Sequence, residues 1–464
     1  MAAKSSIHFD ISERKVLLRI LDIVCVLGLL YLVGQAFNFD YFKINSEHWM
    51  WSIVLATYLT VFATIFELYN LQKASRFESV VKNVILTSSL TVLIYLLTPF
   101  YTPTLPTNRL QIVYFFISMN VALLAWRYAY ITLISTPRFF KRVLLVADSA
   151  DIESIIASLQ KSDPNYRVVG YFNTNISEEI TINSLEIDAY SIKDIGLITE
   201  ELSISEIVVG TPLSEGMTVE LNNQLIYLLE KGIPIREYTQ VYEELTYRIP
   251  VQHVEKDFYK YFPFSRSNQN KLYLFFNRIF DVLISLFGLS IGIILSPLIL
   301  IGNLYGNRGP IFYSQKRVGK NGHIFNIYKL RSMIRNAEAD GARFAEVHDV
   351  RVTKFGKFLR KSRLDEIPQF VNVIKGEMSL IGPRPERPIF VESLSKEIPF
   401  YEVRHLVKPG VTGWAQVNAR YGSSQEDSLE KLQYDLYYIK HRSLFLDITI
   451  IIKTLSTIVF YRGQ

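Results

Sequence analysis

The 464-residue sequence has a single cysteine, Cys25, set in an apolar run, which excludes an internal disulfide and a cysteine-based zinc site. Its seven histidines fall in no metal-binding spacing such as H-E-x-x-H. An excess of either sign of charge is also lacking: the formal net charge is +6, modest for a nucleic-acid binder, and no nucleic-acid partner is expected. Lys and Arg instead cluster beside apolar runs, which suits an anionic membrane surface. Residues 1–15 are polar, and no small-residue cleavage site follows the first apolar run. No removable signal peptide is expected.

Apolar residues, by contrast, make up 49% of the chain and gather in long runs. The length allows two or three domains. Residues 16–37, 49–71, 83–100 and 110–133 are apolar enough to cross a bilayer, which takes about 20 helical residues. Arg14 and Lys15 precede the first run and Arg19 lies in its first turn; Lys73, Arg76 and Lys82 lie between the second and third; Arg138, Lys141 and Arg142 follow the fourth. The alternate loops hold only Lys43 and Arg109. The positive-inside rule then places both ends of a four-helix transmembrane bundle, residues 1–137, in the cytoplasm. Arg19, Asp22 and Arg127 sit near run ends, where snorkelling to the interface is expected.

The pattern then changes to cytoplasmic α/β. Short apolar strands at 143–147, 168–172, 206–209 and 233–236 alternate with helical patterns at 152–159 and 219–229. This predicts a small parallel, Rossmann-like sheet over residues 138–265. The first strand leads into Ala147-Asp148-Ser149-Ala150. No glycine there lets a backbone approach a pyrophosphate, so the dinucleotide fingerprint is missing. A structural or regulatory module is expected.

A fifth apolar run, about 280–301, is long enough to span. Yet Lys271 and Arg278 flank one side, and Arg308, Lys316, Arg317 and Lys320 the other, so both flanks favour the cytoplasm. Ser296-Pro297 offers a way out: proline removes a helical hydrogen bond, and serine can satisfy the freed carbonyl. A re-entrant helix-break-helix over about 272–305 is expected. After it, residues 310–319 and 324–330 read as a strand pair, which leads to Lys329 and Arg331 on one strand face. Residues 354–361 read as a basic amphipathic helix suited to the headgroup layer, and 444–460 as an interfacial or docking helix.

Within the last region, Lys361-Ser362-Arg363-Leu364-Asp365-Glu366-Ile367-Pro368-Gln369 sets two carboxylates inside a basic run, and Gly382-Pro383-Arg384-Pro385 follows. Pro368 suits the first turn of a helix that runs through Phe370, Val371, Val373 and Ile374 to Gly376. The acids then lie beside its positive end, which favours phosphate as well as carboxylate. One acid can attack phosphorus while the other holds a magnesium ion. An isolated Asp-Glu pair would be read as an ordinary helix start; the surroundings argue otherwise.

Lys329-Leu330-Arg331-Ser332-Met333, Leu364 to Gln369, Asn372 to Pro385 and Lys408-Pro409-Gly410-Val411-Thr412-Gly413-Trp414 together resemble the bacterial sugar transferase family, the monotopic polyprenyl-phosphate sugar-1-phosphate transferases. The resemblance covers residue 271 to the C-terminus, and the N-terminal half is similar to the accessory part of long members that start exopolysaccharide repeat units. It implies a catalytic domain at 266–464 with a re-entrant membrane helix, in the bacterial inner membrane and facing the cytoplasm. The implied reaction moves a sugar-1-phosphate from a nucleoside diphosphate sugar, with a UDP-hexose favoured, to undecaprenyl phosphate. Asp365 would be the nucleophile of a ping-pong reaction and Glu366 the Mg2+ ligand. Lys329, Arg331, Arg360 and Arg384 would bind substrate phosphates, with Arg363 a further candidate. Arg363 stands where many members have a hydroxyl residue, and residues 348–353 depart from the Asp-Pro-Arg common in the family, so His348 receives no role. A homodimer through the middle domain is a further expectation. The alternatives are a non-enzymatic scaffold of polysaccharide assembly, or a polytopic transferase that activates the lipid phosphate directly.

Overall fold

The computed structural model describes residues 11–37, 41–44, 47–70, 74, 77–134, 141–147, 149–162, 166–173, 187–190, 195–210, 219–253, 270–335, 337, 341, 349–419, 422 and 424–459. Lys73, Arg76, Arg138, Asp148 and His348, each singled out above, lie outside them. The chain divides into two units, Met1–Thr246 and Tyr247–Gln464.

In the first unit the apolar runs form α1 (Ile11–Phe37), α2 (Trp49–Ile65), α3 (Phe77–Leu97) and α4 (Leu110–Ala129), the last continued by a wider turn at Tyr130–Ile134. Helix α1 packs on α4, and α3 on both α2 and α4. Leu30, Leu59, Val84, Phe115 and Leu123 fill the interior, while Leu32, Ile53, Leu93 and Ile117 face outward. Helices apolar all round are what a bilayer solvates. Residues 13–37, 77–97 and 110–133 are long and apolar enough to cross a membrane, whereas α2 has 17 residues.

Two boundaries differ from expectation. Helix α2 stops at Ile65 because Glu67 takes a left-handed backbone (φ 57°) and Leu68 N–H turns back to Ala63 O. Helix α3 begins at Phe77, so Lys82 lies inside it, and it ends at Leu97, two residues before Pro99. A third correction concerns charge. Asp22 and Arg127 do not snorkel; both are fully buried, with Arg127 Nη2 2.6 Å from Asp22 Oδ2 and Nη1 donating to Leu68 O. An ion pair 105 residues apart in sequence joins the two groups inside the bundle, although among the described residues Asp22 Oδ1 and Arg127 Nε have no hydrogen-bond partner.

The α/β part carries β1 (Lys141–Ala147), α5 (Ser149–Ser162), β2 (Tyr166–Asn173), β3 (Asp188–Ala189), α6 (Ile195–Glu201), β4 (Glu206–Val209), α7 (Val219–Glu230), β5 (Ile235–Glu237) and α8 (Tyr238–Thr246). The strands form one parallel sheet in the order β3-β2-β1-β4-β5. Along β1, Val143, Leu145 and Ala147 meet α5 and α8, while Leu144 and Val146 meet α6 and α7. Both sheet faces are covered, as a doubly wound sheet requires. Strand β3 and helix α6 are additions to the sequence reading.

The second unit is built on α9 (Lys271–Gly306), which Asn270 caps by accepting from Leu272 N and Tyr273 N. Pro297 lies inside this helix rather than between two helices, so the expected division into two elements is not seen. The carbonyl it frees, Ile293 O, accepts from Ser296 Oγ at 2.7 Å, as the Ser-Pro pair suggested. Positions 281, 285, 288, 292, 295, 299, 303 and 306 face the rest of the unit: Asp281 accepts from Leu380 N, Gly288 lies under Phe370, Gly292 beside Ile367, and Gly302 and Gly306 under Phe355. The opposite face, with Phe276, Leu283, Phe287, Ile294, Leu298 and Tyr305, is exposed and apolar.

Antiparallel β6 (Phe312–Val318) and β7 (Ile324–Leu330) follow as expected. Then come α10 (Lys354–Lys361), α11 (Gln369–Lys375), β8 (Ser379–Ile381), α12 (Pro388–Glu397), β9 (Gly410–Thr412), α13 (Trp414–Asn418), α14 (Gln425–His441) and α15 (Leu444–Val459), with β8 and β9 paired in parallel. Thr353 caps α10. Tyr247 to Pro250, read above with the α/β domain, belongs here: Ile249 and Val251 are buried with Trp414, Leu432 and Leu436.

Candidate active site

Alternation along β7 sends Leu330 into a core with Ile299 and Leu359, and turns its neighbours Lys329 and Arg331 toward a common cavity. After α10, Arg363 takes a left-handed conformation (φ 58°), which reverses the chain into a tight turn at Leu364–Glu366. That turn buries Asp365 and Glu366, at 7% and 8% exposure. Pro368 is the residue before α11 rather than its first, and Gly376 (φ 86°) ends the helix as expected. The Asn372 amide accepts from Tyr328 N and donates to Asn326 O, fixing α11 against β7. Arg278 of α9 donates to Val373 O and Ile374 O, the carbonyls left open at the end of α11.

The Gly382 to Pro385 turn is held by Gly382 N to Thr412 O and Gly410 N to Pro383 O, both 2.9 Å. A side chain on Gly410 would overlap the Gly382 backbone, so the approach requires glycine. Behind the turn, buried Arg404 donates to Arg384 O (3.0 Å), Asp435 Oδ2 (2.7 Å) and Tyr401 OH (2.6 Å).

Glu366 therefore sits among three cations. Arg384 Nη1 is 3.1 Å and Lys329 Nζ 3.6 Å from Oε1, and Arg363 Nη1 is 3.4 Å from Oε2. Asp365 differs: its Oδ1 is buried and, among the described residues, has no hydrogen-bond partner. Burial, then the Glu366 charge, raise the Asp365 carboxyl to about 6 against the pull of Lys329, Arg360 and Arg363. Burial disfavours the Glu366 carboxylate too, but Arg384, Lys329 and Arg363 outweigh it and hold that group well below the usual range. Burial and the Arg384 charge lower Lys329 to about 8.

These groups line a cavity of about 370 Å³ that also takes in Arg360 and Arg331. Arg360 Nε donates to Ser332 Oγ and Arg331 Nη2 to Asn307 O. Arg363, left without a firm role by the sequence, contacts Glu366 directly. Reading the sequence missed Arg317, which lines the cavity and bonds Gln315 and Pro385 O, and the Arg404–Asp435 brace. Among the described residues, no three His, Cys, Asp or Glu side chains gather as a metal site. The oxygen-only donor pair of Asp365 and Glu366, with one orphaned buried oxygen, nonetheless suits a hard divalent ion shared with a substrate phosphate.

Two family profiles match. One described as bacterial sugar transferase covers residues 272–461, and one described as CoA-binding domain covers 64–220. The chain is 43% identical over 230 residues to UDP-N-acetylgalactosamine-undecaprenyl-phosphate N-acetylgalactosaminephosphotransferase of Aeromonas hydrophila, covering 49% of this chain and 52% of that one. It is 45% identical over 141 residues to a putative undecaprenyl-phosphate N-acetylgalactosaminyl 1-phosphate transferase of Bacillus subtilis, covering 30% and 79%. It is 28% identical over 395 residues to galactosyl transferase CpsE of Streptococcus agalactiae, covering 77% and 81%. The chain thus spans about half the length of the Aeromonas relative, and most of the Bacillus one. Coverage and motif-bearing geometry coincide on the second unit, and the chain belongs to the bacterial sugar transferase family.

Proposed function

We propose that this protein transfers a sugar-1-phosphate from a UDP-hexose to undecaprenyl phosphate, the first membrane step of exopolysaccharide or capsule repeat-unit assembly. The observation that carries the reading is Asp365: a buried carboxylate with an unpartnered oxygen, in a cavity rich in cations, next to a carboxylate that stays ionised. The relatives' names supply the substrate classes, two of them with N-acetylgalactosamine and one with galactose.

In the first half-reaction an Asp365 oxygen attacks the sugar-bearing phosphorus. The new O–P bond replaces the phosphoanhydride bond, and the nucleoside monophosphate leaves with that electron pair. In the second, an oxygen of the lipid phosphate attacks the same phosphorus, a diphosphate bond forms, and Asp365 departs as a carboxylate. Neither step needs a net proton transfer. Arg384 and Lys329 offset the charge that gathers on the phosphate oxygens, the kind of electrostatic stabilisation that dominates phosphoryl transfer. Mg2+, when bound at Glu366, would supply two further positive charges to the diphosphate.

Bent at Ser296-Pro297 where proline breaks its hydrogen-bond ladder, helix α9 would enter and leave the cytoplasmic leaflet with its exposed face in lipid, keeping the second unit on the cytosolic side of the inner membrane. Support comes from its protein-facing stripe, which leaves no stretch of about 20 residues clear of the unit. In a Cys25→Ser background, Lys271→Cys and Lys320→Cys should both be labelled in sealed inside-out vesicles. Labelling of only one would establish a true span.

The chemistry is tested by incubating the purified full-length protein with sugar-labelled UDP-hexoses and no lipid. Label should appear on the protein as monophosphate is released, and Asp365→Asn should abolish both. Label on the Asp365→Asn variant would remove Asp365 from this role.

A further inference from the structure

Two groups stand out among the many cations of the cavity. Lys329, Arg363 and Arg384 converge on Glu366. Arg331 and Arg335 do not. Their guanidinia crowd Gly309 instead: a Cβ there would lie 2.8 and 2.9 Å from Nη2 and Nη1 of Arg331 and 3.0 Å from Nε of Arg335. Arg331 is 8% exposed, and among the described residues its Nε and Nη1 have no hydrogen-bond partner. Burial, then the like charge of Arg335, push it below the usual guanidinium range. Two like charges are thus held side by side with buried donors unused. That arrangement suits an arriving phosphate, whose several oxygens match paired guanidinium forks.

Location selects which phosphate. Gly309 follows the end of α9 by three residues, and Asn303 Nδ2 donates to its carbonyl at 2.8 Å. Asn307 Nδ2 donates to Arg331 O at 2.7 Å, and Thr353, the cap of α10, donates to Asn307 Oδ1. Phe355 of α10 covers Gly302 and Gly306. The arginine pair stands where the apolar α9 ends and the basic α10 begins, and both arginines line the cavity that holds Asp365. A phosphate tethered to a lipid reaches this point without leaving the membrane surface. We propose that Arg331 and Arg335 form a second anion subsite, which receives the phosphate of the lipid acceptor, while the cations on Glu366 serve the donor diphosphate. Gly309 is glycine because any side chain would fill the place of the phosphate.

The proposal rests on the lipid-acceptor reading above, and the experiment separates the two. Full-length protein is assayed in detergent micelles as wild type, Arg331→Met, Arg331→Lys and Arg335→Met; Arg335 is exposed, so its loss is safe for folding. Monophosphate release without lipid reports the donor half-reaction, and discharge of the labelled protein by short-chain polyprenyl phosphate reports the acceptor half. The Met variants should keep donor release within about threefold and raise the KM for polyprenyl phosphate about tenfold or more, with Arg331→Lys between. Donor release falling in parallel, or both halves unchanged, would overturn the assignment. If wild type releases no monophosphate, the covalent mechanism fails, and direct titration decides the subsite. Weakened binding of polyprenyl phosphate but not of UDP-hexose supports it; the reverse, or no change, refutes it.

Discussion

The pH dependence of monophosphate release follows from two groups that burial shifts in opposite ways. On the proposed mechanism Asp365 attacks as a carboxylate, and its value is raised to about 6, so the active form should be lost as pH falls through 6. Lys329 must be an ammonium to offset charge, and its value is lowered to about 8, so that form is lost as pH rises through 8. Glu366 is held far lower and adds no limb in this range. The profile of kcat/KM for the UDP-hexose should therefore be a bell centred near pH 7. One unit outside either value, near pH 5 or 9, the rate should drop about tenfold. Lys329→Arg keeps a cation whose guanidinium does not titrate below pH 12, so the basic limb should vanish while the acid limb stays. Lys329→Met removes a charge 3.6 Å from Glu366 Oε1, an interaction of roughly 1 kcal/mol in water and 4–5 at an effective dielectric of about 20. A loss of about 100-fold or more in kcat/KM is expected, with the acid limb moved upward because Lys329 helps hold Asp365 ionised. The assay is the initial rate of monophosphate release at subsaturating donor, from pH 4.5 to 10 at constant ionic strength. An acid limb near the ordinary aspartate value of about 4, or a basic limb that survives in Lys329→Arg, would refute this account.

Glu366→Gln removes the charge that is the second cause of the raised Asp365 value, so the acid limb should move to lower pH even as kcat falls; a Mg2+ titration of the same variant should need a higher Mg2+ concentration for half-maximal rate. Asp22→Asn leaves Arg127 buried without its partner and should lower stability by about 3–5 kcal/mol, read by thermal unfolding in detergent, whereas Asp22→Leu with Arg127→Met should recover most of it. Ser296→Ala strips the donor from Ile293 O and should cost about 1–3 kcal/mol in the same measurement. Gly302→Leu, placed against the Phe355 ring, should cost about 1–3 kcal/mol through overpacking.

What was legible in the sequence is what local chemistry decides. The placement of Asp365 and Glu366 just ahead of α11, the stop at Gly376 and the repair of Ile293 O by Ser296 each involve residues a few positions apart. The doubly wound sheet was visible because buried parallel strands must read as short apolar runs between helical patterns. Strand β3 was not, since two residues carry no period. Nor was the end of α2, which depends on a left-handed Glu67 that the composition of the run does not announce. The misreading of Asp22 and Arg127 has a different origin: each alone is a snorkelling candidate, and only the packing of α1 on α4 makes them partners. The Arg404–Asp435 brace, 31 residues apart, was invisible for the same reason.

The two carboxylates illustrate how a site can give neighbours opposite chemistry without any difference in side-chain type. Both are about equally buried, so desolvation penalises both charges. Glu366 recovers that cost through three cations, and in doing so it draws Arg384, Lys329 and Arg363 to one place. For Asp365 the burial penalty and the adjacent negative charge outweigh the pull of Lys329, Arg360 and Arg363, and among the described residues Oδ1 has no hydrogen-bond partner. A carboxylate in that position gains from transferring its charge to an electrophile, because esterification removes the unsolvated anion and leaves the cations to the new phosphate oxygens. On the proposed mechanism Glu366 would not need to touch phosphorus to matter for catalysis. It gathers the cation cluster in the resting protein, and the diphosphate would take those cations over on arrival. The brace from Arg404 through the Arg384 carbonyl would keep the central guanidinium in place during that exchange.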